Sequence, residues 1–540
     1  TCGTKLHHMV APRAAKGMQF ADRLPLQRSH TTFVADDYPA ILSTLRNTFA
    51  SGKTKAAAWR KQQLKAMQKM CDENRDEILR AVASDTGKCA LDTTIGEIPM
   101  VNFELHDAIH NVEKWMEPEA KPTPVALLPC SSRVEKMPLG PTLVIGPFNY
   151  PFMLALCPCI GAVAAGCPFV LKPSELCPQT GELLLRLVGE YLDPAACRVV
   201  LGGKDCCASL LELTWDSIIF TGSERVGKIV AAAAARTLTP CTLELGGKSP
   251  LFIGPRPGDL QWLAKKIVWG RLFSGGQTCV APEYVLCPEE LVGALCDELK
   301  RQALLQYGDD AQANADYCRM INSAAVERIG GLLKGHGGTV VLGGRVDAAA
   351  RYVAPTIVLD PSLDSPLMQE EVFGPVLTVL TVKSTDDAVA IAKRMPNPLA
   401  LYIFSGDAAY QRTVLDAVPS GSAFVNDVVV HIGNAYLPFG GVRTSGLGRS
   451  HGYDYFMACT ARRAVMAKGA DPLSNFLDIQ VLVRTAPHGR FLGLDRTMLL
   501  HLVTHPRLPP IPTNALRKLA IVAAAAAALA TRHHWWPLVA

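Results

Sequence analysis

The sequence predicts an α/β protein with two doubly wound domains, the first of them Rossmann-like, and an extended arm. At 540 residues the chain is too long for a single compact core. Its 49% hydrophobic and 19% charged residues exclude a disordered or low-complexity protein. Two successive regions alternate strand-length apolar runs with helix-length segments, a rhythm typical of right-handed βαβ units in a parallel sheet.

The first half of the chain begins with helices. Leu42, Leu45 and Leu64 are among the apolar residues that recur at helical spacing between residues 38 and 117. Residues 118–137 are Pro-rich with β-branched patches, which predicts the extended arm. Apolar strands are predicted at 142–145, 169–171, 198–201, 217–220 and 242–245, separated by helix-length segments that include 152–165, 181–191 and 223–237.

A second α/β region extends from residue 250 to about residue 450. Its predicted strands are at 251–253, 284–286, 339–342, 356–359, 376–382 and 401–404. Ligands of open parallel sheets bind beyond the carboxyl ends of the strands, so the functional residues are expected there.

Positive charge is concentrated at the C-terminal end. From residue 480 onward seven Lys or Arg stand against one acidic residue, whereas the preceding residues hold 47 basic and 48 acidic ones. The near-neutral body excludes the electrostatic footprint of a nucleic-acid-binding protein. The apolar run 519–530 has basic and Trp flanks, which favours a membrane surface, but about 18 Å of helix cannot span a bilayer core of ~30 Å. Attachment to the cytosolic face of a membrane and a free cytoplasmic protein therefore both remain open.

The 17 cysteines occur without any CxxC pair. Zinc sites need paired ligand spacings, so no metal site is expected. An odd cysteine count in a large chain favours reduced thiols in a reducing compartment.

A turn at Gly222 and Ser223 follows an apolar strand and opens a helix, where free backbone N–H groups can hold a phosphate. The spacing from Gly222 to Gly227 and Lys228 resembles a Walker A loop, but Ile229 stands where that loop needs Ser or Thr. The usual GxGxxG dinucleotide pattern is also absent. An ordinary strand-to-helix corner remains an equal alternative.

Lys172 and Glu175 stand at the end of the second predicted strand of the same region, whereas the Gly222 turn follows the fourth. A dinucleotide-binding fold places an acidic residue there to bind the adenosine ribose hydroxyls. A solvated Lys–Glu pair is the alternative. Because both signals fall on one sheet, the nucleotide interpretation is stronger than either signal alone.

Three residues form the predicted chemical core. Cys279 lies in a glycine turn, Phe273-Ser-Gly-Gly-Gln-Thr-Cys279, where an exposed thiol can act as a nucleophile. Glu244 is an acid inside an apolar strand, where burial raises its pKa toward that of a useful base, although a strand-end salt bridge is an alternative. The side-chain amide of Asn149 can donate to a developing oxyanion, or can satisfy its own turn before Pro151.

These motifs, in their order and spacing, resemble the NAD(P)-dependent aldehyde dehydrogenase superfamily. The resemblance covers residues 38 to 465 and rests on PLGPTLVIGPFNYPF, LKPSE, FTGSERVGK, LELGGKSP, GQTCVAP, EEVFGPVL and PFGGVRTSGLGRSHG. GQTCVAP and NPLALYIFS are most similar to the class 3 and fatty aldehyde branch.

The resemblance implies the reaction. Cys279 would attack the aldehyde to give a thiohemiacetal, with Asn149 and the backbone N–H of Cys279 as the oxyanion hole. Hydride transfer to NAD, with NADP as a weaker second cofactor, would leave a thioester, and Glu244 would activate the water that hydrolyses it. The adenosine and pyrophosphate half would contact Lys172, Glu175, Gly222, Ser223 and Gly227, and the nicotinamide half Glu371 and Phe373.

The resemblance also implies the organisation of the chain. A Rossmann-like cofactor-binding domain would comprise residues 38–117 and 138–245, and a catalytic domain residues 246–454. A β-hairpin oligomerisation arm, residues 118–137 and 455–480, would pair two subunits in a homodimer. Residues 1–37 would be an N-terminal extension, which lacks the apolar segment of a secretory signal, and residues 481–540 a basic, Ala-rich tail.

Two departures from the family pattern are visible. Phe148 replaces the Trp that this branch usually has before Asn149, and an insertion near residues 254–258 is expected in a loop.

The expected substrates are hydrophobic aldehydes, medium- or long-chain aliphatic or aromatic. Three alternative functions are considered for the chain: a CoA-acylating dehydrogenase of the same fold, a catalytically idle binding protein, and a membrane-tethering module. Glu244 argues against the first, and the presence of Cys279, Glu244 and Asn149 together against the second.

Overall fold

The computed structural model describes residues 37–124, 127 and 130–469, and the backbone of residues 490, 491, 494 and 495. The N-terminal extension and nearly all of the basic tail, including the apolar run 519–530, lie outside the described residues. The helices are α1 (Tyr38–Ala50), α2 (Ala57–Glu73), α3 (Arg75–Thr86), α4 (Ala90–Met116), α5 (Met153–Ala165), α6 (Pro178–Tyr191), α7 (Lys204–Leu211), α8 (Glu224–Thr237), α9 (Leu260–Leu272), α10 (Glu289–Tyr307), α11 (Ser323–Leu332), α12 (Pro366–Gln369), α13 (Thr385–Arg394), α14 (Ala408–Ala417) and α15 (Gly452–Ala458).

The strands are β1 (Glu119–Lys121), β2 (Ser131–Pro138), β3 (Thr142–Ile145), β4 (Phe169–Lys172), β5 (Cys197–Val199), β6 (Ser217–Thr221), β7 (Cys241–Glu244), β8 (Ser249–Ile253), β9 (Pro282–Pro288), β10 (Thr339–Leu342), β11 (Val346–Asp347), β12 (Tyr352–Val353), β13 (Thr356–Leu359), β14 (Val376–Val382), β15 (Ala400–Phe404), β16 (Ser422–Val425), β17 (Gly446–Leu447), β18 (Thr460–Ala467), β19 (Arg490–Phe491) and β20 (Leu494–Asp495).

The first α/β region forms a six-stranded sheet in the order β17-β7-β6-β3-β4-β5. The strands run parallel except β17, which pairs antiparallel with β7. Every residue of β3 and β4 is buried, because helices cover both faces of the sheet. The five strands predicted between residues 142 and 245 are all present. Four of them, β3, β4, β6 and β7, run parallel side by side, so their carboxyl ends meet at one edge.

The helices before this sheet pack onto it through α5. Every residue of α5 is buried, and the helix joins α2 and α4 in the largest apolar cluster of the described chain. A helix that is apolar on all sides is expected at such a central position. This packing brings α4 close to the turn that follows β3.

The second α/β region forms a seven-stranded sheet in the order β10-β13-β14-β9-β8-β15-β16. Only the pairing of β10 with β13 is antiparallel in this sheet. The predicted strands are present, and β16 is an addition to them. Residues 254–258 lie in the connection between β8 and α9, as expected for a loop.

The predicted arm is a β-hairpin of β1 and β2, and β18 adds a third antiparallel strand against β2. Helix α15 occupies residues 452–458, so the strand of the second arm segment begins at Thr460. The assignment of domains, and the pairing of subunits through the arm, stay predictions. Within the described part of the chain, no helix is long and apolar enough to cross a membrane.

Candidate active site

The loop that carries Cys279 has an unusual backbone. Ser274, Gly275 and Gly276 have φ values of 53°, 66° and 72°, so three successive residues are left-handed. A Cβ on residue 276 would lie 2.3 Å from the carbonyl oxygen of Gly374, and only glycine avoids this clash because it has no Cβ. The loop therefore packs directly against the backbone at Gly374.

Side chains from the turn after β3 and from β15 hold this loop on either side of Cys279. The hydroxyls of Tyr150 and Thr278 lie 2.6 Å apart, and the hydroxyl of Tyr402 donates to the carbonyl of Val280 at 2.5 Å. The buried amide of Gln277 donates to two backbone carbonyls and accepts from a backbone N–H at 2.9 Å. The residues immediately before and after the thiol are thus fixed, which limits the positions that the thiol can reach.

Cys279 is of intermediate exposure, so its thiol is less open than the glycine turn predicts. Its neighbours from Arg271 to Thr278 are buried, and burial is the main cause that raises the pKa of the Cys279 thiol to about 12. The carboxylates of Glu371 and Glu244 raise this pKa further, whereas the backbone N–H groups of Cys279 and Val280 lower it. The thiol is therefore protonated at neutral pH and needs a base to become a nucleophile.

Glu244 is the last residue of β7 and is only 4% exposed. Neither carboxylate oxygen has a hydrogen-bond partner among the described residues, so the predicted alternative of a strand-end salt bridge does not hold. Burial raises the pKa of this carboxyl to about 8, although Ser450 and Arg449 each lower the pKa in part. Oε1 would lie 3.0 Å from a Cβ at Gly440, so a glycine there leaves room for the carboxylate. A carboxyl with this pKa can act as a base near neutral pH.

Asn149 lies in the turn between β3 and α5, four residues beyond the strand end, and is buried. Its backbone carbonyl accepts from Nζ of Lys88 at 2.6 Å. The same ammonium pairs with Glu97 at 3.1 Å and lies 3.8 Å from the ring centroid of Tyr150. The other oxygen of Glu97 accepts from the first turn of α5 at 2.9 Å, so this buried cluster fixes the turn that contains Asn149.

At the same sheet edge, Lys172 and Glu175 form an ion pair of 2.7 Å. Lys172 is buried and the carboxylate of Glu175 is half exposed. Burial opposes ionisation of Glu175, but the ammonium of Lys172 outweighs it and lowers the pKa of the carboxyl. This ion pair is the predicted alternative, a solvated Lys–Glu pair. It also leaves an ionised carboxylate beyond the end of β4, in the position where a dinucleotide-binding fold holds the ribose hydroxyls.

The turn between β6 and α8 fits a dinucleotide phosphate. Ser223 caps α8 by accepting from the backbone N–H of Val226, and the helix begins at Glu224. A Cβ on Gly222 would lie 2.5 Å from the Phe220 ring, and one on Gly227 2.6 Å from Leu245. The glycines thus allow close backbone packing at a helix N-terminus, as a pyrophosphate site requires.

Glu371 and Phe373 lie on one loop before β14. A Cβ on Gly246 would lie 2.1 Å from an oxygen of Glu371, which shows how closely this carboxylate covers the turn after β7. Burial raises the pKa of Glu371 to about 8. Phe373 has a φ of 49°, and its ring meets the edge of the Phe148 ring at a centroid distance of 5.7 Å. The residue that departs from the family pattern therefore contacts the predicted nicotinamide-binding residue.

A buried ionic cluster supports this loop and was not predicted from the sequence. Glu283 pairs with Lys248 at 2.9 Å and with Arg271 at 2.8 Å, and it accepts from the backbone N–H of Val372 at 3.1 Å. Burial disfavours its charge, but the two cations outweigh this and lower the pKa of Glu283 to about 2. The only sequence signal was the presence of charged residues within apolar runs.

The structure packs the Cys279 loop against Gly374, on the loop that carries Glu371, and Glu371 covers Gly246 in the turn after Glu244. Both carboxylates raise the pKa of the thiol. Lys172 ends β4 and Glu175 follows it, whereas Gly222 and Ser223 follow β6 and Gly227 lies in the first turn of α8, all at the edge of the sheet where β7 ends in Glu244. Among the described residues there is no group of three or more His, Cys, Asp or Glu that could hold a metal ion. The described cysteines are free thiols.

Comparison with known proteins gives one family. Residues 30–465 match the aldehyde dehydrogenase family. The chain is similar to aldehyde dehydrogenase family 3 comG of Dictyostelium discoideum, with 41% identity over 81% of this chain and 92% of the relative. It is also similar to the dimeric NADP-preferring aldehyde dehydrogenase of Rattus norvegicus, with 42% identity over 78% of this chain and 93% of the relative.

The solved structures to which the chain is similar include aldehyde dehydrogenases as well. AldH of Staphylococcus aureus in a substrate-bound state superposes with a TM-score of 0.78 and 36% identity, covering 81% of this chain and 95% of that chain. An aldehyde dehydrogenase of Mycobacterium tuberculosis in complex with NAD+ superposes with a TM-score of 0.73 and 25% identity, covering 81% of this chain and 91% of that chain.

Proposed function

The chain belongs to the aldehyde dehydrogenase family, and we propose that it oxidises hydrophobic aldehydes, medium- or long-chain aliphatic or aromatic, to carboxylic acids through Cys279. NAD(P)-dependent oxidation of aldehydes is the activity of the family 3 enzymes to which it is similar. The observation that carries the assignment of residues is the packing around the Cys279 loop: Gly276 lies against Gly374 of the loop that carries Glu371, and Glu371 covers the turn after Glu244.

In this proposal Cys279 forms the covalent bond to substrate. Glu244 accepts the thiol proton as the sulfur adds to the aldehyde carbon, giving a thiohemiacetal. The side-chain amide of Asn149 and the backbone N–H of Cys279 stabilise the oxyanion. Hydride acceptance is the chemistry that NAD(P) supplies when bound, and it leaves a thioester on Cys279. Once Glu244 has released the thiol proton to solvent, it takes a proton from water, the new oxygen–carbon bond forms, and the carbon–sulfur bond breaks to free the acid and return the sulfur of Cys279 as thiolate.

The cofactor contacts in the proposal follow the sheet edge. Glu175 and Lys172 bind the adenosine ribose, and Gly222, Ser223 and Gly227 form the pyrophosphate turn at the start of α8. Glu371 and Phe373 position the nicotinamide ribose and ring. The Glu283 cluster fixes the backbone of that loop through Val372, so the position of these two side chains depends on it.

We expect NAD to be preferred over NADP. The half-exposed carboxylate of Glu175 repels a 2′-phosphate, while its partner Lys172 tolerates one. Matched steady-state kinetics should give a higher kcat/KM with NAD, and Glu175→Gln should narrow the difference by raising kcat/KM with NADP. A clear NADP preference of the unaltered protein would contradict the role given to Glu175.

Product analysis tests the overall reaction. Incubation with an aliphatic aldehyde and NAD in the absence of CoA should yield NADH and carboxylic acid in equal amounts. Formation of acyl-CoA on adding CoA, with no NADH made in its absence, would instead identify a CoA-acylating enzyme. The absence of NADH under both conditions would identify an idle binding protein.

The proposed assembly is a homodimer formed through the arm. The three-stranded sheet of β1, β2 and β18 leaves β1 and β18 as edge strands, which offer backbone groups to a second subunit. Light scattering of the protein at micromolar concentration should give the mass of a dimer. The proposed location is the cytoplasm, and attachment of the C-terminal tail to a membrane stays a prediction.

A further inference from the structure

The proposed oxyanion hole is assembled from two segments that are far apart in the sequence. Its donors are the side-chain amide of Asn149, in the turn between β3 and α5, and the backbone N–H of Cys279. Both donors must lie about 2.7–3.1 Å from the developing oxyanion, and a misplacement of about 1 Å can cost about 10²-fold in rate. The contacts that fix the turn relative to the Cys279 loop therefore influence the rate of thiohemiacetal formation.

A buried ammonium group holds the turn. Lys88 lies two residues before α4, and its side chain is only 2% exposed. Its Nζ donates to the backbone carbonyl of Asn149 at 2.6 Å and to Glu97 at 3.1 Å, and it lies 3.8 Å from the ring centroid of Tyr150. An ammonium has three N–H donors, and a carbonyl, a carboxylate and an aromatic face are available to them here. The turn and α4 together thus fix the position of the ammonium.

The carboxylate of Glu97 holds the far end of the same turn. Glu97 is fully buried on α4, and one of its oxygens accepts from Lys88. The other oxygen accepts from the backbone N–H groups of Phe152 at 3.2 Å and Met153 at 2.9 Å, where α5 begins. A carboxylate at a helix N-terminus is favoured by the helix dipole. The ion pair therefore contacts the turn at both of its ends.

Tyr150 joins this turn to the Cys279 loop. Its ring lies under the ammonium of Lys88, and its hydroxyl lies 2.6 Å from the hydroxyl of Thr278, the residue before Cys279. The ring packs closely on α4 because residue 96 is a glycine, where a Cβ would lie 2.8 Å from Cε1 of Tyr150. The contact between Lys88 and this ring therefore also bears on the position of the Cys279 loop.

Helix α4 contacts the Cys279 loop directly as well. The carboxylate of Asp92, in the first turn of α4, accepts from the backbone N–H of Ser274 at 2.8 Å. Ser274 has a φ of 53°, a conformation that a residue other than glycine keeps only where its surroundings fix it. The segment from Lys88 to Glu97 thus contacts both of the segments that supply oxyanion donors.

We infer that Lys88 and Glu97 are positioning residues of the reaction, which hold the amide of Asn149 at the distance from Cys279 that the oxyanion requires. The inference rests on the proposed function, in which Asn149 is an oxyanion donor. Both residues act through the backbone of the turn and not on the substrate. A buried ion pair adds little stability compared with an apolar pair of similar size, so the main effect of this pair is on the geometry of the site.

The test measures the rate of the first-turnover burst of NADH, which reports thiohemiacetal formation and hydride transfer. Lys88→Met keeps a long side chain but removes the three donors, and it should slow the burst by about 10-fold to 10²-fold. The aldehyde concentration that gives half of the maximal burst rate, and the affinity for NADH, should change by less than about twofold, because the oxyanion forms only during the reaction. The double variant Lys88→Met, Glu97→Gln leaves no unpaired carboxylate in the interior and should show the same slowing.

Arg60→Met provides the matched control. Arg60 is also a buried cation, 4% exposed, and its guanidinium donates to the carbonyl of Ala164 at 2.9 Å, near the other end of α5. Its replacement removes a comparable buried contact without reaching the turn at Asn149, so the burst rate should stay unchanged. A burst in both Lys88 variants at the rate of this control would overturn the inference.

A double-mutant cycle with Asn149→Ala separates positioning from a general loss of structure. Asn149→Ala alone should slow the burst by about 10²-fold or more. In that background Lys88→Met should slow it by less than a further factor of about two, because the donor that Lys88 positions is gone. Equal slowing by Lys88→Met in both backgrounds would overturn the inference. A normal burst rate in Asn149→Ala would instead refute the oxyanion role in the proposed function, so the two failures are distinguishable.

Discussion

Replacing Cys279 with Ser is expected to abolish aldehyde oxidation, with a loss of more than ~10³-fold in kcat. The serine hydroxyl is a far weaker nucleophile than a thiolate, and the surrounding carboxylates Glu244 and Glu371 disfavour any further negative charge. The loop should keep its shape, since its backbone and the hydrogen bonds of Thr278 and Val280 do not involve the thiol. Steady-state NADH formation measures the loss, and titration with NADH should show unchanged cofactor affinity.

Cys130→Ser provides the matched control for this replacement. Cys130 lies in the arm, outside the candidate site, and is likewise a free thiol of intermediate exposure. Its replacement should leave NADH formation unchanged. Turnover of Cys279→Ser at near the rate of this control would show that the nucleophile is another residue.

Glu244→Gln is expected to separate the two halves of the reaction. The amide keeps the shape of the side chain but cannot take a proton from water, so hydrolysis of the thioester should slow by about 10²–10⁴-fold. NADH formation followed over time should show a burst of one NADH per active site and then almost no steady-state turnover. Because Glu244 is also the proposed acceptor of the thiol proton, the burst itself should be slower than in the unaltered protein.

The pH profile gives a second readout for Glu244. Burial raises the pKa of this carboxyl to about 8, and only the ionised form is a base. Thioester hydrolysis by the unaltered protein should therefore speed up as the pH rises through about 8 and level off above it. The residual hydrolysis by Glu244→Gln should lack this rise. Unchanged steady-state turnover in the variant would refute the base role.

The elements of the sheets were predictable where burial was uniform. Strands β3 and β4 are buried at every position, so their apolar runs stood out in the sequence. Strand β16 was not predicted because it is the edge strand of its sheet and none of its residues is fully buried.

The candidate site was predictable residue by residue but not in its electrostatics. The glycine turn around Cys279 indicated an exposed thiol, because local sequence does not reveal that Gly276 packs against Gly374. The result is a thiol of intermediate exposure with a raised pKa. Conversely, the burial of Glu244 was readable from its place inside an apolar strand.

The supporting residues could not be found from sequence because their partners are distant along the chain. Lys248 contacts Glu283 and also the backbone of Leu367, which lies 119 residues away. Lys88 contacts the carbonyl of Asn149 across 61 residues. Such contacts depend on tertiary packing, which a single sequence does not encode locally.

The central claim, an acyl group carried on Cys279 and released by Glu244, is tested most directly by intact-protein mass spectrometry of Glu244→Gln after mixing with aldehyde and NAD. The proposed mechanism predicts a mass increase equal to one acyl group per subunit, located on the peptide that contains Cys279. The same treatment of the double variant Cys279→Ser, Glu244→Gln should give no increase. A Glu244→Gln protein that forms a full burst of NADH yet carries no acyl group on Cys279 would contradict the claim.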